Sequence, residues 1–87
     1  MPEEDGKYIH DAIMTVVNNQ IRNINPPKTK QTLDRLIKEG YTKEDARKLI
    51  GYVVLSELNE MMKLNRVFDE AKFVAALKAL PEEPPDY

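Results

Sequence analysis

Residues 42–62, TKEDARKLIGYVVLSELNEMM, decide how the chain folds. The stretch holds no proline and opens with a helix start signal. Thr42 can cap the first turn, and Glu44 and Asp45 follow where the helix dipole favours negative charge. Placed at 100° per residue from Ala46, Leu49, Val53, Ile50, Met61 and Val54 form an apolar stripe from roughly 300° to 80°. In the second half, Leu55, Leu58 and Met62 add a further arc at roughly 120–180°. The spacing therefore predicts a helix over about 43–62, some 30 Å long, apolar over more than half its circumference. Such a helix is central in a core or shares a face with another chain. Gly51 is costly in a helix interior, and fits a point where a second helix crosses closely.

Three further helices follow from periodicity on either side. The first is expected from about Lys7 to Asn23, with Ile9, Ala12, Ile13, Val16, Val17 and Ile24 on one face, and Asn25-Pro26-Pro27 ends it. The second starts near Pro27, carries Leu33, Leu36 and Ile37, and closes at Gly40 as a left-handed cap. After a break at Leu64-Asn65-Arg66-Val67, Asp69 can cap a fourth helix. Phe68 and Phe73 are spaced there as a hydrophobic staple, and the helix ends at Pro81. The expected fold class is all-α, a compact four-helix domain around one long central helix. Residues 1–6 are expected to be a flexible N-terminus, 7–80 the helical domain, and 81–87 a disordered acidic and proline-rich tail.

Composition excludes several chemistries. The 87 residues include no cysteine and one histidine, which removes disulfides, thiolate chemistry and two-histidine metal faces within one chain. The net charge is −2, so no bulk basic field attracts nucleic acid or anionic lipid. Charge is uneven, with +3 over residues 28–48 between two acidic flanks of −2 and −3. No apolar run approaches the roughly 20 residues that cross a bilayer, and the N-terminus is acidic where a signal peptide is basic. A cytoplasmic protein is the expectation.

Polar residues inside apolar faces mark candidate sites. Glu57 falls near 20°, in the centre of the long helix's stripe, and Gln20 lies within the stripe of the first helix, with His10 at its edge. A buried carboxylate must be paired, protonated or near an opening. The bland reading is a structural hydrogen bond from Glu57 to Gln20 or to a backbone donor. The sharper one is a polar pocket between helices one and three, lined by His10, Gln20 and Glu57. Helix, glycine turn and helix around Gly40 is also the outline of a helix-turn-helix, with Lys43, Arg47 and Lys48 early on the reading helix. Glu44 and Asp45 beside them would face phosphates, and Glu44 with Lys48 is an ordinary surface pair. Glu57 and Glu60 lack the histidine that a di-iron bundle pairs with them, and Ser56, the only serine, has no nucleophile context. Neither a catalytic constellation, a metal site nor a cofactor is implied. Pro84-Pro85-Asp86-Tyr87 matches the short motif read by WW domains, a cheap match in a polar tail.

Two resemblances accompany these readings. Leu36 to Ala46, with Gly40-Tyr41 in its loop, looks locally like the first helix and loop of ubiquitin-associated-type modules, though the following helix here is much longer. Val17-Asn18-Asn19-Gln20-Ile21, a proline, Leu33-Asp34-Arg35-Leu36, Glu39-Gly40, Asp45-Ala46 and Ile50-Gly51 resemble a family of small bacterial helical proteins catalogued only as a domain of unknown function. The likeness spans roughly residues 8–80 and implies an all-helical fold, a bacterial origin and polar groups at Gln20 and Glu57. That family carries histidines four apart at the start of its long helix; Glu44 and Lys48 stand there, so no metal or acid–base role follows.

The expected function is a non-enzymatic protein-interaction module that forms a homodimer or meets another protein. Its face would be Leu55, Leu58 and Met62, with Tyr52 as an aromatic anchor. The alternatives are a nucleic-acid binder through Lys43, Arg47 and Lys48, and a ligand pocket around His10, Gln20 and Glu57.

Overall fold

The computed structural model describes residues 2–82, with side chains from Ile9 onward, as four α-helices. They are α1 (Pro2–Asn23), α2 (Pro27–Lys38), α3 (Lys43–Leu64) and α4 (Glu70–Ala79). The long α3 packs against each of the other three, while α2 also meets α1 and α4. Its 22 residues span roughly 33 Å at 1.5 Å per residue. That is close to the 35 Å longest dimension of the molecule. The all-α architecture around one long helix is as the periodicity requires. Helix α1, however, begins at Pro2 rather than near Lys7, so residues 2–6 belong to its first turns. Of the proposed tail, only Pro81 and Glu82 are described, and the Pro-Pro-Asp-Tyr motif lies outside the described residues.

The helix boundaries have local causes. Pro27 occupies the first turn of α2. Thr42 Oγ1 accepts from the Asp45 N–H at 3.0 Å, and Asp69 Oδ1 accepts from the Lys72 N–H at 3.2 Å. Gly40 takes φ 112° just after α2, a conformation that favours glycine. The staple at the start of α4 forms as spaced, with the Phe68 and Phe73 rings 5.5 Å apart. Asn65 closes α3 in the left-handed region at φ 51°. Ile24 closes α1 in the same region, where a β-branched residue is strained.

Val17, Leu36, Ile50, Val53, Phe73 and Leu77 are the heart of the core. Gly51 sits where α1 crosses: a Cβ there would lie 3.3 Å from Ile13 Cγ2 and 3.5 Å from Met14 Sδ. This crossing turns α1 away from the orientation its apolar count implies. Ile13 and Val17 are buried and Ile21 packs against the core, whereas Ile9, Ala12, Val16 and Ile24 are exposed. Ile37 on α2 is exposed as well. Helix α4 is tied to α2 by Arg35, whose Nη2 donates to the Leu77 and Leu80 carbonyls, each at 3.1 Å. Those carbonyls are at the end of α4, where intrahelical donors run out.

Two stability measurements check this description. Arg35→Met should cost about 1–2 kcal/mol in urea unfolding, the worth of hydrogen bonds from a charged, half-exposed donor. Ile24→Asn should instead stabilise by about 1 kcal/mol, because asparagine tolerates left-handed backbone and little burial is lost.

Candidate functional site

Glu57 is buried in the centre of the α3 stripe, and its partners come from the α3–α4 connection. Arg66 forks onto it, with Nη1 donating to Oε2 at 2.9 Å and Nη2 to Oε1 at 3.0 Å. The Asp69 N–H donates to Oε2 at 3.0 Å. A second buried carboxylate, Glu60, lies 3.3 Å from Arg66 Nη2 and is hydrogen-bonded by Lys72 of α4. Two anions and two cations therefore pin the turn after α3 and the first turn of α4 to the same helix. Bidentate geometry makes this a directional joint rather than a loose charge pair. The Lys72 hydrogen bond, reinforced by the nearby charges of Lys72 and Arg66, holds Glu60 below its usual carboxyl range despite burial. Arg66, bonded to Glu57, is driven further into its charged form.

The expected bond between Glu57 and Gln20 is not made. Gln20 Oε1 instead accepts from the buried Thr29 hydroxyl of α2 at 3.0 Å, joining α1 to α2. The backbone-donor alternative for Glu57 is met by Asp69, with Arg66 as the main partner. His10 is remote from both: it is exposed, 3.6 Å from Asp11, and about 15 Å along α1 from Gln20. His10, Gln20 and Glu57 are thus held by three separate sets of neighbours and do not line one pocket. The residues that sequence reasoning passed over are Arg66, Glu60, Lys72 and Thr29. Glu60 was within reach, since it falls near 320° on the same wheel, inside the α3 stripe. Arg66 carried no periodic signal because it is in a turn.

Helices α1 and α3 do enclose a groove of about 320 Å³. Ile9, Ile13, Met14, Gly51, Tyr52 and Leu55 supply its apolar lining, and His10 and Lys48 its polar lining. From this groove the outer side of α3 continues as an apolar strip. Leu55 is half-buried against the core, while Tyr52, Leu58 and Met62 are 51%, 40% and 79% exposed. The four residues occupy one side of α3 over about 15 Å.

The basic candidates are less concentrated. Lys43 is exposed, Arg47 is half-buried with its Nε enclosed and unbonded, and Lys48 lies 3.7 Å from Glu44. With Glu44 and Asp45 in the same turn, this end of α3 alternates in sign. Comparison with protein-family models, curated proteins and solved structures found no match.

The ionic joint predicts a pH dependence. Because the folded state lowers the Glu60 pKa, its contribution is fully present above the ordinary value of 4.5. It is lost as pH falls through the lower folded value. Urea midpoints measured from pH 7 downward should therefore drop through that acid range, and less steeply in Glu60→Gln. Arg66→Met should lower the pH 7 melting temperature more than Lys63→Met, because it leaves two buried carboxylates short of a partner.

Proposed function

We propose that this chain is a non-enzymatic protein-interaction module, pairing with a second copy of itself through the outer side of α3. The observation that carries the reading is the strip of Tyr52, Leu55, Leu58 and Met62. It joins an aromatic anchor to flexible apolar side chains, the composition that interface centres favour. Lone exposed apolar residues are ordinary on any surface, but several aligned on one helix face are a contact surface. A two-fold pair of such helices lets each strip cover the other, and two-fold pairing is the commonest closed assembly. The buried charges do not compete with this reading: both Glu57 oxygens accept hydrogen bonds from Arg66, and they brace the fold.

A nucleic-acid role through Lys43, Arg47 and Lys48 has less support. Lys48 is paired with Glu44, Arg47 is half-buried, and Asp45 is adjacent. Phosphate binding needs several cations freed from such partners.

Absolute mass by light scattering after size exclusion, over a hundredfold range of concentration, tests the proposal. The expected result is a species of twice the 10.0 kDa chain mass that dissociates on dilution. Leu58→Glu should keep the helical spectrum and shift the mass to that of one chain. A wild-type chain of single mass throughout, or an unaltered dimer in Leu58→Glu, overturns it.

A further inference from the structure

The groove between α1 and α3 differs in character from the strip beside it. Its volume, about 320 Å³, is at the small end of the range for small-molecule sites. A docked helix, 10–12 Å across, needs a longer and shallower trough. Apolar side chains dominate the lining, which has no carboxylate; its two polar members, His10 and Lys48, are both hydrogen-bond donors able to carry positive charge. Neither is tightly engaged. Lys48 Nζ is 3.7 Å from Glu44, and His10 Nδ1 is 3.6 Å from Asp11, both beyond hydrogen-bond distance. The groove therefore offers a greasy floor with unspent donors for an anion on it.

We infer that this groove binds a single-chain aliphatic carboxylate, the hydrocarbon lying along Ile9, Ile13, Met14 and Leu55 and the carboxylate meeting Lys48 and His10. Close approach of α1 at Gly51 sets the floor, since the absent side chain brings Ile13 and Met14 against α3. The chemistry selects both ends of the ligand. A short carboxylate gains the charge but not the burial, and a neutral alkanol gains burial but leaves the two donors without an anion. A cationic amphiphile meets like charge at Lys48.

Titration calorimetry with decanoate, below its micellar concentration, tests the inference. Decanol and decyltrimethylammonium serve as controls, and light scattering is run on the same samples. Saturable decanoate binding is expected, weakening about fourfold for each methylene removed, the equivalent of about 0.8 kcal/mol per buried CH₂. Lys48→Gln and Ile9→Gln should each weaken it about tenfold, and both sites are exposed enough for the variants to fold. Lys63→Gln should leave it unchanged. Equal binding of decanol or the ammonium amphiphile, an unaltered Lys48→Gln, or the absence of saturable decanoate binding overturns the assignment. The light-scattering masses report chain pairing separately, so either proposal can fail alone.

Discussion

A carboxylate in the middle of the central helix's apolar stripe constrains everything packed around it. Glu57 cannot be buried without donors, and nothing on α1 or α2 supplies them: Gln20, the nearest sequence-level candidate, is bonded to Thr29. The donors come instead from Arg66 and the Asp69 N–H, which fixes where the chain must go after α3 ends. Left-handed Asn65 turns the backbone out of the helix, and Arg66 folds back along it to reach Glu57. Helix α4 then begins in a position set by that turn. With ten residues it is too short to be stable alone, and it depends on this joint, the Arg35 tie and the burial of Phe73 and Leu77.

That arrangement explains which parts of the fold were legible in sequence. Caps and breakers act within a few residues, so Thr42, Asp69, Gly40, Pro27 and the Phe68–Phe73 staple could be read directly. The stripe on α3 was also legible, because a helix with three neighbours has its buried arc written in its own periodicity. Helix α1 was not. Its apolar residues cover a wide arc, and counting them centres the buried face near 110°, between Ala12 and Val17. The structure centres it nearer 180°, on Val17, because Gly51 admits Ile13 and Met14 at the crossing. A pair of contacts on another helix decided an orientation that no window of α1 contains.

The candidate site was legible in the same uneven way. A misplaced charge on a wheel shows that a partner must exist, and Glu57 met that expectation. It does not show who the partner is, since Arg66 belongs to a turn and Lys72 to another helix. His10, Gln20 and Glu57 were grouped because each broke a pattern, but pattern-breaking carries no distance. The groove held the reverse lesson: most of its lining residues are ordinary apolar positions, and only the crossing of α1 over α3 makes them a cavity.

The exposed strip on α3 follows from counting neighbours. A helix of equal diameter shields about 60° of another's circumference, so three neighbours shield about half of it. The buried residues of α3 match that limit, running from Glu60 near 320° through Ala46 to Gly51 near 140°, an arc of about 180°. Tyr52, Leu58 and Met62 lie on or beyond the edge of that arc, and Leu55 is on the boundary. Asn59 and Lys63 show that polar side chains are accommodated on the exposed part of the same helix. The strip is therefore apolar surface in excess of what α1, α2 and α4 can cover, and a second copy of α3 supplies the missing neighbour.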